Sequence, residues 1–472
     1  MKFFLKYSFI CLFCFGKANS VSSQDIQQYF SFDEFITLVK NYHPISRQAD
    51  ISIERGEANL RSARGGFDPQ AFTNIGQKYF DNDQYYSIVD AGLKVPTWFG
   101  IELYTGFEQN NGVNLNPERK TPSNGLMYAG ISVPIGRGLF IDQRRADLRK
   151  AQIFQNITKE EQRIILNDLM FNAAQVYWDW FASYEIVTVF DDAVRVAAER
   201  FEGVKSNALF GDVPIIDTVE AFIQVQNRTI QLKEAELNFK NQSERLSVFL
   251  WGEGYVPLEI DEGVVPTRND DVKKYILDEM VTNQIDSLVK NHPILLQGKL
   301  RLDQLEIERR WKAEQLKPVL NLKYNALNEA LTDDIISGYS INDYNWGLQF
   351  SMPLFLRRAR GDLKLTKLQI EDQEMALQHQ EQSIEMLIQT AMNTWEVTTD
   401  QVALFERNVR SMEQLLNAEM RRFDFGESSL FLVNAREESF INGQIELARR
   451  IAANQKALVS ISYQLGVLSD ID

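Results

Sequence analysis

Cysteine is nearly absent from this chain of 472 residues, and the two it has, Cys11 and Cys14, lie close together near the start. A disulfide framework and a thiolate metal site are both excluded for everything that follows them. Histidine is almost as scarce, with only His43, His292 and His379. None is paired with a cysteine or set in an HExxH-like context, and no glycine-rich phosphate loop occurs, so no catalytic constellation and no cofactor site is expected. Positive charge is outweighed: net charge is −15 and the pI near 4.9, which disfavours a nucleic-acid partner. Long apolar runs are missing too, apart from Tyr7–Phe15. Lys2 and Lys6 precede that run and the small residues Ala18-Asn19-Ser20-Val21-Ser22-Ser23 follow it. Residues 1–23 therefore read as a secretory signal, with cleavage after Ser20 or Ser23. Ile10 and Phe13 stand where lipidation of either cysteine would need a small residue.

Glycine and proline are absent from two long stretches, and these dominate the sequence. Asp362–Phe425 and Leu139–Glu202 each run 64 residues without either. At about 1.5 Å per residue each is a rod of roughly 96 Å. Val402, Phe405, Val409, Met412 and Leu416 follow the 3-4 spacing of a coiled-coil seam. A shift of 215 positions superposes the stretches: Trp180 falls on Trp395, Val187 on Val402, Phe190 on Phe405, Val194 on Val409, and Phe210-Gly211 on Phe425-Gly426. The chain is internally duplicated.

The duplication organises the rest. Residues 24–250 form a first repeat and residues 271–472 a second, joined by a linker at 251–270 that holds Gly252, Gly254, Pro257, Gly263 and Pro266. In the first repeat a helix is expected over 31–64, opened by the capping box Ser31-Phe32-Asp33-Glu34. Strands follow within 71–133, then a long helix over 139–209 and a return helix over 214–250. The second repeat offers a helix over 271–316, strands within 319–353, a long helix over 362–425 and a return helix over 428–465, which Gly443 interrupts. Asn41-Tyr42-His43-Pro44 recurs as Lys290-Asn291-His292-Pro293, which makes His43 and His292 structural partners, each before a helix proline. Pro69 meets Pro318 and Pro134 meets Pro353 at offsets that leave about 30 extra residues in the first repeat. The extra residues are one hairpin: segments 71–80, 85–95, 101–109 and 127–133 alternate apolar and polar, with Pro96-Thr97-Trp98-Phe99-Gly100 as the turn between the middle two.

Alternating strands of about ten residues suit a membrane barrel or a half-buried soluble sheet. Export, and helices too long for a globular core, favour the barrel. Four to six strands cannot close a lipid-facing sheet, because the smallest such barrels need about eight and open edges are forbidden in lipid. Several copies must share one barrel, and three would supply 12 strands, or 18 with the added hairpin inserted.

Over its mature length the chain resembles the TolC-type outer-membrane efflux proteins. The resemblance rests on the duplicated unit, the Asn-His-Pro near each repeat's start, the strand ends Val133-Pro134 and Met352-Pro353, and above all the turns Phe210-Gly211-Asp212-Val213-Pro214-Ile215-Ile216-Asp217 and Phe425-Gly426-Glu427-Ser428-Ser429-Leu430. It implies a mostly α fold with a transmembrane β part: a homotrimeric α-helical barrel in the periplasm capped by a shared outer-membrane β-barrel. It further implies an exit duct without enzymatic activity, fed by an inner-membrane pump through a periplasmic adaptor protein. Phe210, Gly211, Asp212, Phe425, Gly426 and Glu427 would then meet the adaptor, although each glycine also serves simply as the left-handed residue of a helix-to-helix turn. The family's ring of gate aspartates aligns with Leu432 and Ala435 and is therefore missing. Asp217, Asp424 and Glu427 are the remaining gate candidates, able to select cations in three copies or to stand only as solvated tip residues. An exit duct for type I protein secretion, and a periplasmic coiled-coil scaffold or adaptor, are the alternative functions.

Overall fold

A computed structural model describes residues 28–261, 263–267, 285–329 and 339–470. The expected signal (1–23), the expected start of the second repeat's first helix (271–284) and part of the linker lie outside these residues. Strand β1 (Gln28–Phe30) precedes helices α1 (Phe32–Tyr42) and α2 (Pro44–Arg64). Next come β2 (Gln70–Phe80), β3 (Asp83–Pro96), β4 (Glu102–Asn111), β5 (Leu126–Pro134), α3 (Gln143–Phe210) and α4 (Ile215–Ser247). Short strands β6 (Trp251–Gly252), β7 (Val256–Pro257) and β8 (Val264–Pro266) lead to α5 (Ile285–Lys290), α6 (Pro293–Glu314), β9 (Val319–Glu329), β10 (Tyr344–Ser351), α7 (Arg357–Asp424) and α8 (Leu430–Gln464).

The element starts have local causes. Ser31 and Glu34 form the reciprocal capping box, and the hydrogen bonds Glu34 accepts from Ser31 hold its carboxyl below the ordinary range. The single helix expected over 31–64 is two. His43 stays extended at φ −68°, ψ 136°, and its Nδ1 accepts from the Ile45 amide at 3.1 Å, so the imidazole caps α2 behind Pro44. His292 repeats the device on the Ile294 amide at 3.2 Å, which divides the second repeat's helix at the same place. Helix α3 begins four residues later than expected, because Asp142 caps it by accepting from Arg145 N and Gly138 sits at φ 93°. Helix α7 begins five residues earlier, since Gly361 is carried inside it at a cost of about 1 kcal/mol. Gly443 likewise does not break α8; a Cβ there would stand 2.7 Å from Met412 Sδ, so its bareness admits the Met412 side chain.

The two 68-residue helices, each about 100 Å long, carry the molecule. Helix α3 packs along α2, α4, α6 and α8, and α7 packs along α6 and α8. The main core lies near the middle of α3, where Trp180, Phe181 and Phe35 are fully buried with Tyr177 and Leu246. Trp180 stacks on Phe239 and donates to Ser243 Oγ at 2.9 Å, while Tyr177 donates to the Phe30 carbonyl. Beside them β1 pairs in parallel with β8, tying the start of the first repeat to the inter-repeat segment.

All six longer strands form one antiparallel sheet in the order β10-β9-β5-β4-β3-β2. The hairpin β3–β4 is the added one, inserted between the two strands that have counterparts in the second repeat. No described helix is long and apolar enough to cross a membrane.

Candidate functional site: the sheet faces and the helical tips

Strand register sorts the sheet into opposite rows. Trp346, Tyr324, Ile131, Leu103 and Val95 lie side by side on one face. One residue further along, Asn345, Asn325, Gly130, Tyr104, Lys94 and Gln70 lie on the other. The apolar face is the exposed one: Ile75 is 70% exposed, Trp346 61% and Phe350 67%. The polar face is internally bonded. Glu102 accepts from Tyr104 Oη at 2.6 Å and Arg144 Nη1 at 2.7 Å and pairs with Lys94 Nζ at 3.0 Å, while Tyr128 donates to Asp90 at 2.9 Å. A sheet turned inside out in this way is stable only with its apolar face in an apolar medium. Among the described residues, strands β2 and β10 are its open edges.

At the opposite end of the rods the two repeats turn in the same manner. Gly211 has φ 84° and donates to the Ala208 carbonyl at 3.1 Å, and Asp212 N reaches Asn207 O at 2.9 Å. Gly426 has φ 76° and donates to Phe423 O at 2.9 Å, and Glu427 N reaches Arg422 O at 2.8 Å. These are Schellman closures, and the positive φ requires glycine. Each ejects a phenylalanine: Phe210 and Phe425 are 80% and 81% exposed, flanked by exposed Leu209, Ile215, Ile216 and Phe431. Behind them Val204, Ala221 and Leu430 bury together with Phe201, Val213 and Phe423, so the two turns form one tip.

Of the acidic candidates, Asp212, Asp424 and Glu427 are exposed and Asp217 is half-buried in the first turn of α4. The fold brings them to one tip but into no joint coordination: among the described residues no group of three or more His, Cys, Asp or Glu is placed to hold a metal ion. Leu432 and Ala435 are exposed on α8. The histidines serve the caps. Burial pushes His43 below its ordinary range and His292 down to about 4, so each stays neutral with Nδ1 free to accept.

Sequence reasoning missed the strongest polar feature. Arg200 on α3 makes a two-pronged ion pair with Glu437 on α8, both N···O distances 2.9 Å, with side chains 13% and 5% exposed. Arg200 also donates to Asn434 Oδ1 at 3.3 Å, and Asn434 reaches Glu220 on α4 at 3.3 Å. The network joins the first repeat to the second about 15 Å above the tip. Its signal was in the duplication: Arg200 aligns with Leu415, and Glu437 with Phe222, which packs on Phe201 at 5.3 Å. Charge occupies slots that the other repeat fills with apolar residues.

Residues 284–467 match the family model of outer membrane efflux proteins; no curated protein matches the chain. Among solved structures, the Campylobacter jejuni CmeC outer membrane channel is similar at 14% identity and TM-score 0.62, over 92% of this chain and 85% of that one. The outer membrane protein VceC of Vibrio cholerae is similar at 13% and 0.62, over 92% and 95%. The open state of the Neisseria gonorrhoeae MtrE channel is similar at 13% and 0.65, over 96% and 93%. The second repeat carries the sequence pattern of the outer membrane efflux proteins, and at least 92% of the chain, the first repeat included, shares the fold of these channels.

Proposed function

We propose that three copies assemble into one tube, an 18-stranded barrel in the outer membrane continuous with a ring of long helices, and that it conducts substrate delivered by an inner-membrane pump through a periplasmic adaptor. The observation that carries this is the six-stranded sheet: its exposed face is apolar and both its edges are open, which only further strands in a bilayer can satisfy. Members of the family work with adaptors and pumps and form trimers. The tip supplies the adaptor contact. Phe210, Gly211 and Asp212 with Phe425, Gly426 and Glu427 present two rigid glycine turns, each with an exposed aromatic anchor beside an acid. Asp217, Asp424 and Glu427 set the charge at the mouth, where Leu432 and Ala435 leave it without the family's aspartate ring. The Arg200–Glu437 pair ties the repeats together and is the contact that must yield when helix pairs shift to open the mouth.

The mature chain has no thiol, so single cysteines at Asp212 and Glu427 report the tip without background. Crosslinkers there should capture an adaptor from the periplasm, and a deletion of the strands should abolish export while pump activity persists. Export at the normal rate from the strand-deleted strain would overturn the duct.

A further inference from the structure

The exposed apolar row of β10 does not stop with the strand. Tyr344, Trp346, Leu348, Phe350, Met352 and Leu354 continue it, the last 92% exposed. Leu356, at φ 51°, then turns the chain into α7, whose first four residues are Arg357-Arg358-Ala359-Arg360. All three arginines are exposed, and none has an ion-pair partner among the described residues; Arg357 only lies 5.1 Å from the Phe355 ring.

The first repeat is an internal control. Position for position, Asp142 aligns with Arg357, Gln143 with Arg358 and Arg145 with Arg360. There Asp142 caps the helix, Arg145 is buried on Asp142 and the Gly138 and Leu139 carbonyls, and Arg144 is held by Glu102. The first repeat consumes its arginines internally and the second turns them outward. Helix stability does not account for them, since cations in a first turn oppose the macrodipole. At this same helix-side end of the sheet the β3–β4 turn exposes Trp98 (75%), and Phe140 is 69% exposed. Aromatic rings next to cations, at the limit of an apolar band, have the composition of a membrane interface.

We propose that Arg357, Arg358 and Arg360, with Phe355, Trp98 and Phe140, form a docking band for anionic phospholipid headgroups of the periplasmic leaflet. The band rests on the outer-membrane reading and adds to it a lipid preference located in the second repeat. Its charge is complementary to that partner in a chain whose net charge is −15.

The test reconstitutes the full-length trimer at low salt into nanodiscs of phosphatidylcholine containing one-tenth phosphatidylglycerol and measures the lipids retained, by native mass spectrometry. Each cation near a charged surface is worth roughly a fivefold preference, so R357Q/R358Q/R360Q should lose on the order of a hundredfold of the selectivity for phosphatidylglycerol. R407Q/R410Q, far down the same helix, should lose none, and added salt should weaken only proteins that keep the three arginines. Equal selectivity in the triple variant and the wild type overturns the band. So does dissociation of the triple variant into monomers, which would assign the arginines to a neighbouring subunit's carboxylates. Failure of the wild type to enter the nanodisc bilayer would instead overturn the barrel itself, and the band with it.

Discussion

Cutting the Arg200–Glu437 pair should loosen the tip more than any other single change on the long helices. Two N···O contacts of 2.9 Å join side chains that are 13% and 5% exposed, so neither charge has water to fall back on. Removing one partner strands the other, at about 3–5 kcal/mol. Removing both is milder, because desolvation of the pair offsets most of its attraction, and R200M/E437L should lie within about 1–2 kcal/mol of the parent. In the proposed trimer three such pairs would act on one mouth. Even a net 1 kcal/mol per pair adds to about 3 kcal/mol, roughly a hundredfold in the ratio of closed to open mouths.

The assay separates stability from gating. Thermal unfolding of the detergent-solubilised trimer should fall sharply for R200A and E437A and recover largely for R200M/E437L. Passive conductance in planar bilayers should rise for all three, because the apolar replacement restores packing without the two-pronged grip. The exchanged pair R200E/E437R should recover part of the closure. A double-mutant cycle with coupling below about 0.5 kcal/mol, or single variants that conduct like the parent, would refute the idea that this contact holds the repeats together.

Three further outcomes follow from particular side chains. Replacing Phe210 and Phe425 by Ser should leave the trimer's thermal stability within about 0.5 kcal/mol, since both rings are about 80% exposed, yet abolish adaptor capture in a pull-down. Gly443→Ala should leave thermal stability within about 1 kcal/mol, because the gain in helix propensity offsets the shift that the new Cβ forces on the flexible Met412 Sδ, and in a Met412→Ala background the same substitution should stabilise by about 1 kcal/mol. His292 is neutral in the fold, with its pKa depressed from 6.5 to about 4, so the unfolded chain binds the extra proton between those values. Stability is therefore full above about pH 6.5 and declines as pH falls toward 4, by roughly 3 kcal/mol. His292→Asn, which keeps a cap acceptor, should flatten that part of the pH profile in thermal melts.

Much of this architecture was legible in the bare sequence because duplication supplies its own alignment. Trp180 on Trp395 and the twin Phe-Gly turns needed no structure, and the glycine–proline deserts announced rods of the right length. Local chemistry was harder to read. A Pro-preceding histidine looks compatible with a bent helix, and only the Nδ1 cap shows that His43 and His292 end one helix and begin another. Gly443 looked like an interruption, since a glycine that admits a Met side chain cannot be told by sequence from one that breaks a helix. The acids at the tip were chosen by proximity along the chain, and the acid that matters most to packing there, Glu437, lies seven residues into α8, facing the other repeat.

That last miss suggests a rule for duplicated chains. Positions where the repeats agree, such as the glycine turns and the histidine caps, are those each unit needs in order to fold. Positions where they disagree have been released from that demand and can serve what happens between units or outside them. Arg200 against Leu415 and Glu437 against Phe222 bond one repeat to the other, and Arg357 against Asp142 exchanges an internal cap for an outward charge. Gly443 against Arg228 belongs with them: Met412 fills the space left by the glycine, and the positions aligned with this pair in the first repeat hold the buried Arg228 and the small, buried Ala197. Two rods of equal length can thus differ in chemistry along one face, which the proposed tube of alternating repeats would require if its inside, its subunit seams and its membrane end are each to be different.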